Sequence, residues 1–328
     1  MEKLSLGMIE EARSALAGKI RQTPVEFSPE LSQQLKVPTF FKLESLQITG
    51  SFKLRGALYR LSYLEDAQRE TGVATCSAGN HGWALAYAGR ELGIPVTVYL
   101  PASVDESKRQ GMLALGANVI VTPFPGYDEA EKYAKAEAEN HALPFVSAFD
   151  DPRIMAANGG TIAAEILEEI PDAQSFLFPV GGGGLAAGAS YLLAQRIGSP
   201  TLIASQHRDS PALQLSLERG AAVTELPPIQ TAAGGVEGGI GLQTFEVIRR
   251  FLKRVVLCSE GEILSAVTWF LDKHHYLIEP SSAVAVAAAL SGRLGPLPPE
   301  KPLVIIITGR NVALKTVARI LQATTPSN

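Results

Sequence analysis

The 328-residue chain reads as an α/β protein of two lobes, with open, mostly parallel twisted sheets covered by helices. Three observations predict this. Short β-branched or apolar runs alternate with longer segments of helical periodicity. Three glycine-bearing turns, Cys76–Gly82, Gly181–Gly184 and Thr308–Asn311, are of the kind found where parallel strands give way to helices. The length also exceeds what one compact core usually holds.

The runs Val96–Leu100, Val119–Val121, Ser175–Phe178, Leu202–Ala204 and Leu303–Ile307 are apolar enough for strands buried on both faces. Between them, Trp83–Leu92, Asp105–Leu115, Asp128–Asn140 and Gly159–Ile170 carry apolar residues at helical spacing. Glu129, Glu131, Glu137 and Glu139 with Lys132 and Lys135 read as a solvated helix face. The Pro-rich stretch Gly295–Pro302 reads as a surface loop, and Ala323–Asn328 as a frayed tail. We divide the lobes as a large domain of residues 1–46 and 150–328 and a small mobile domain of residues 47–149.

Composition narrows the function. Hydrophobic residues make up 46% and charged residues 19%, an ordinary balance for a soluble enzyme. A net charge of −4 without a basic stripe argues against nucleic acid. The apolar stretch Ala283–Leu290 is too short to span a bilayer, and Met1-Glu2-Lys3 does not open a signal peptide. Two distant cysteines, Cys76 and Cys258, support neither a disulfide framework nor a zinc site and fit a reducing cytoplasm. His207, His274 and His275 lack partners at metal-ligand spacing and read as surface or packing residues.

Two motifs carry chemistry. In Thr49-Gly-Ser-Phe-Lys53-Leu-Arg-Gly-Ala57 a lysine sits among small and apolar neighbours, which favours its neutral, carbonyl-attacking amine. Far downstream, Phe176-Leu-Phe-Pro-Val breaks into Gly181-Gly182-Gly183-Gly184 and resumes as the small-residue helix opened by Leu185. Such a loop converges backbone N–H groups on an anion at a helix N-terminus. The same glycines contain a passable dinucleotide fingerprint, Gly181-x-Gly183-x-x-Ala186. However, Ala204-Ser205-Gln206 supplies no acidic residue for ribose hydroxyls. A Schiff-base lysine with a phosphate cradle points to pyridoxal 5′-phosphate.

Taken in order, these motifs resemble the fold-type II pyridoxal phosphate enzymes, whose architecture is that of the tryptophan synthase β chain. The branch is that of the threonine dehydratases and serine racemases, and the similarity runs from Thr23-Pro24 to Asn311. The resemblance implies that Lys53, after Phe52, is the Schiff-base residue and the base for the Cα proton. It implies that Ser77, Ala78, Gly79, Asn80 and His81 form the loop gripping the substrate carboxylate, with Asn80 also on the cofactor's phenolic oxygen. Gly181–Gly184 with Leu185 match the phosphate loop, Thr308 stands beside the pyridine nitrogen, and Glu279 lies in a further active-site segment. Asn80 and His81 also admit a plainer reading, as a helix N-cap and a satisfied core histidine.

Within the branch, Ala78 replaces the serine that serves racemases as the base on the second cofactor face, while Gly126-Tyr-Asp-Glu-Ala130 resembles the dehydratase pattern. Gln206 and Ala212 replace the carboxylates that hold a divalent metal in some relatives, leaving Asp209 alone, so no metal is expected. Gly234 and Arg310 depart from the residues usual at their places. The chain stops soon after Asn311, so a C-terminal regulatory domain is not expected. The resemblance thus implies a lyase that converts an L-β-hydroxy amino acid of the threonine or serine type to a 2-oxo acid and ammonia, as a cytoplasmic homodimer. A dehydratase for hydroxyaspartate or for a hydroxyectoine-derived amino acid, an amino-acid racemase and a β-replacement synthase are the alternatives.

Overall fold

The computed structural model describes residues 2–102, 104 and 106–324. Nine strands form two sheets: β1 (Val25–Phe27), β2 (Thr39–Leu43), β3 (Val73–Cys76), β4 (Val96–Leu100), β5 (Asn118–Val121), β6 (Ser175–Pro179), β7 (Thr201–His207), β8 (Arg254–Cys258) and β9 (Leu303–Ile307). The larger sheet has the order β1-β2-β9-β6-β7-β8, and the smaller is β3-β4-β5. Every pairing is parallel except that of β1 with β2.

Strand periodicity assigns the core. In β6, Phe176 and Phe178 enter one apolar cluster while Leu177 enters the other; in β9, Val304 and Ile306 oppose Leu303, Ile305 and Ile307. Both strands are buried on both faces, so helices must cover the sheet on each side. On one face lies the helix Pro280–Leu290, whose Ala/Val-rich sequence lets it pack close to the strands. The Ala283–Leu290 stretch belongs to this buried helix, and no helix among the described residues is long and apolar enough to cross a membrane. On the other face lies the helix Gly184–Arg196, pressed against the π-helical turn Ala156–Gly160. An added Cβ on Gly188 would meet the Met155 carbonyl at 1.8 Å, so glycine there is a condition of the packing.

Four strands lie outside the sequence reading: β1, β2, β3 and β8. β2 hides because Lys42 interrupts its apolar run, yet Lys42 is fully buried, its amine 2.7 Å from Glu165. The helix read from Asp105 runs Glu106–Ala114, Asp105 itself lying outside the described residues. The segment read as helix from Gly159 begins as the π turn, with α-helix over Thr161–Glu169. The tail is corrected at its start: the last helix, Leu314–Thr324, continues through Ala323, because Val317 and Ile320 bury its apolar stripe. The rest of the tail lies outside the described residues. His274 packs edge-on against Phe41 and close to Phe270, and His207 is buried beside Glu260, whereas His275 is exposed.

Candidate active site

The three glycine-bearing turns follow the carboxyl ends of β3, β6 and β9, as expected of ligand sites in open parallel sheets. The helix Lys53–Ser62 begins beside them. The Phe52 N–H donates to the Thr308 carbonyl at 3.1 Å, and Ser51 bridges Gly309, so the lysine segment is laid along the turn after β9. Lys53 Nζ donates 2.7 Å to the Ala148 carbonyl and lies 5.1 Å from the centre of the Phe52 ring. Burial pushes the Lys53 amine down to about 8, partly opposed by the charge of Glu279. A carbonyl-attacking amine therefore exists near neutral pH, the property inferred from its neighbours in sequence.

The glycine loop lies on the segment that receives Lys53. A Cβ on Gly182 would strike the Phe149 ring at 2.3 Å, and one on Gly184 would meet the Phe149 carbonyl at 2.9 Å. Gly183 is the N-cap of the Gly184–Arg196 helix with φ +93°, a conformation that favours glycine. Gly181 approaches the Gly235 carbonyl, and Gly234 beside it has open space where a Cβ would stand. Asp150 and Thr244 brace the loop. Asp150 Oδ1 accepts from the Gln243 and Thr244 N–H groups at 2.8 and 3.0 Å, and Thr244 Oγ1 donates to the Gly182 carbonyl at 2.7 Å. Among the described residues, the N–H groups of Gly182, Gly183, Gly184 and Leu185 donate to no protein acceptor. Converging orphan donors at a helix N-terminus suit a phosphate.

Opposite stands the Ser77–His81 loop, entering the helix Asn80–Leu92. Ser77 Oγ accepts from the Gly79 N–H at 3.3 Å, and a Cβ on Gly79 would meet nothing within 4 Å. The first N–H groups of this helix form a second anion-accepting end. His81 is buried, with Nε2 3.3 Å from the Val146 carbonyl. Burial, with Lys53 nearby, holds its pKa down to about 3, so the ring stays neutral. Asn80 Nδ2 donates to Glu279 Oε1 at 2.7 Å, and the Thr308 N–H donates to Ser282 Oγ at 2.7 Å.

The structure thus gathers Phe52, Lys53, Asn80, Glu279 and Thr308 into one linked group, with the glycine loop joined through Ala148 and Phe149. Asn311, Asp150 and Thr244 were missed as site residues. Asn311 closes the glycine-bearing turn that begins at Thr308, and the Ala148 carbonyl has no side-chain signature at all. At the segment considered for a metal, Gln206 is consumed otherwise: its Oε1 accepts from the Leu213 and Gln214 N–H groups at 3.0 and 3.1 Å, capping a helix. No group of three or more candidate metal ligands occurs among the described residues.

Comparison with known proteins defines the class. The family described as pyridoxal-phosphate dependent enzyme matches residues 16–309, and the chain belongs to it. An L-threonine ammonia-lyase of Geobacter sulfurreducens is 35% identical over 319 residues, 96% of this chain and 77% of that one. Among solved structures, the processed form of threonine deaminase isoform 2 from Solanum lycopersicum superposes with a TM-score of 0.88 at 28% identity, covering 99% of this chain and 95% of that one. Maize serine racemase does so with a TM-score of 0.90 at 27% identity, covering 98% of both. The cofactor is pyridoxal 5′-phosphate, and the residues present fit it: a buried amine with lowered pKa and an uncommitted row of N–H donors.

Proposed function

We propose that the protein is an ammonia-lyase acting on an L-β-hydroxy amino acid of the threonine or serine type, releasing a 2-oxo acid and ammonia. The supporting observation is an asymmetry of proton carriers. Lys53 is a buried amine able to be neutral near pH 8, whereas Ala78, in the facing loop, carries no proton. The full-length similarity to L-threonine ammonia-lyase supports the same choice.

When bound, pyridoxal phosphate supplies the electron sink that makes the substrate's Cα–H acidic. The chain's own residues do the rest. The N–H groups of Gly182–Leu185 would hold the phosphate, and Ser77 with the start of the Asn80–Leu92 helix would hold the substrate carboxylate. Lys53 would hold the cofactor through its amine, and the same amine, when free, would be the base for the substrate's Cα proton. The Cα–H electrons form a Cα=Cβ bond as the Cβ–O bond breaks and the hydroxyl leaves as water, the proton it gains balancing the one that Lys53 takes from Cα. The released enamine takes water back to give the oxo acid and ammonia, so the balance requires no oxidant. Thr308 would offer the cofactor a neutral hydroxyl rather than a carboxylate, which would keep the sink modest and favour expulsion of the β-hydroxyl. Without a proton donor at Ala78, return of a proton on the opposite face is slow, and racemisation is the minor course.

The division into a large lobe of residues 1–46 and 150–328 and a small lobe of residues 47–149 belongs to this reading, as does a homodimer in the cytoplasm. The free, buried Cys76 and Cys258 thiols, whose pKa values burial pushes up to about 12, suit a reducing compartment. The test is a panel of L-threonine, L-serine and 3-hydroxyaspartate given to the holoenzyme with oxo acid and ammonia both measured. Equal yields of the two from threonine or serine are expected. Formation of a new amino acid when sulfide is added, with little oxo acid, would instead identify a β-replacement synthase.

A further inference from the structure

We propose that Asn311 is a positioning residue that fixes the rotation of the Asn80 carboxamide, and so decides which Asn80 atom is offered to the bound cofactor. The proposal rests on the cofactor reading of the site and not on the identity of the substrate.

The polarity follows from what each group can do. A backbone carbonyl only accepts, so the Asn311 atom 2.9 Å from the Thr49 carbonyl must be the NH2 nitrogen. That same nitrogen lies 2.7 Å from Asn80, and its second hydrogen requires the Asn80 carboxamide oxygen there. The Asn80 NH2 then stands at the other end, 2.7 Å from the Glu279 carboxylate. Rotating Asn80 by half a turn would set NH2 against NH2 at Asn311 and oxygen against oxygen at Glu279. The chain from Thr49 through Asn311 and Asn80 to Glu279 therefore has one favourable polarity.

The backbone makes room for this chain. Gly50 has φ +74°, and a Cβ on it would come within 2.4 Å of Asn311 Oδ1. A Cβ on Gly309 would lie 2.6 Å from Glu279 Oε1 and 3.2 Å from Asn80 Nδ2. The Arg310 N–H donates to the Gly50 carbonyl at 2.9 Å, fixing the turn that carries Asn311 to the segment leading into Lys53. With its rotation set, Asn80 keeps one N–H uncommitted by these contacts. Asn80 therefore presents a donor to an anionic oxygen of the cofactor, and Asn311 determines this without touching the cofactor.

The experiment compares Asn311→Leu, Asn80→Ala and the double variant as apoproteins titrated with pyridoxal phosphate. Three quantities are read: cofactor dissociation constant, pH titration of the visible band of the bound cofactor, and apoprotein melting temperature. Asn311 is exposed, so its replacement leaves the core filled. Loss of the orienting bonds is expected to weaken cofactor affinity about tenfold and shift the band's titration, with an unchanged apoprotein melting temperature. In the Asn80→Ala background the same change should cost less than about twofold, because its effect passes through Asn80. Asn311→Asp, which keeps the shape but offers only acceptors, should be at least as damaging as Asn311→Leu. Wild-type affinity and titration in Asn311→Asp, or an undiminished loss in the Asn80→Ala background, would overturn the proposal. Affinity is read without turnover, so failure here is distinguishable from failure of the lyase reading.

Discussion

The reactivity of Lys53 follows from where its amine lies. Removed from water and facing the Ala148 carbonyl, it is held at about 8 rather than the ordinary 10.5. Cofactor capture requires the neutral amine, so its rate in the apoprotein should rise about tenfold per pH unit below this value and level off above it. Stopped-flow absorbance across pH 6–10 checks this; a rate still climbing at pH 10 would mean an ordinary, solvated lysine. The linked stability effect has a definite sign. Between pH 8 and 10.5 the unfolded chain binds more protons at Lys53 than the folded one, so this group's contribution to apoprotein stability rises with pH there. Lys53 and the glycines were legible because their chemistry is written in residue type: a lysine among small residues, and glycines where a side chain cannot fit. At Gly182 the nearest obstacle to a side chain is the Phe149 ring. The bracing by Asp150 and Thr244 was not legible, because these residues meet the loop only through tertiary contacts.

At the scale of elements, the helix carrying Lys53 is clamped by buried charge. Arg55, fully buried, donates to Glu44 through Nε and Nη2 at 2.9 and 2.7 Å and to Glu165 through Nη1 at 2.6 Å. Burial pushes the Glu44 carboxyl up, but Arg55 and Lys42 outweigh it and hold the group below the usual carboxylate range. The neighbouring Gly56 N–H donates to Asn158 Oδ1 at 2.8 Å, on the π-helical turn. Such a cluster is costly to break from one side. Arg55→Ala should lower unfolding stability by about 3–5 kcal/mol, because it leaves the buried Glu44 carboxylate without its guanidinium partner, while Glu165 keeps Lys42. Urea unfolding of the apoprotein measures this; a loss below about 1 kcal/mol would show that water reaches the cluster. The same cluster explains why β2 escaped a reading by apolar runs. A lysine in a strand signals exposure until its carboxylate partners are known, and Glu165 lies far away in sequence. β9, wholly apolar, and β6, apolar but for Ser175, are buried on both faces and were readable without such knowledge.

At the scale of the molecule, two sheets of different size point the carboxyl ends of β3, β6 and β9 toward one site, and polar contacts join them through Asn80, Glu279 and Asn311. The turn positions and the α/β class were legible because strand–helix alternation determines both. The order of strands was not, because it depends on which crossovers bring β9 between β2 and β6. With Gln206 committed to a helix cap and Asp209 exposed, turnover should survive EDTA. A large loss restored by magnesium or calcium would instead show that carboxylates of the chain hold a divalent cation. The claim that joins all three scales is that Lys53 removes the Cα proton and no group at Ala78 returns one to the other face. Its most direct test follows a single reaction of holoenzyme with L-serine or L-threonine, using a coupled assay for 2-oxo acid and chiral chromatography for the Cα-epimer. The account predicts oxo acid and ammonia in large excess over the epimer, with Ala78→Ser raising the epimer's share; a dominant epimer from the unaltered enzyme would contradict it and place the activity with the racemases.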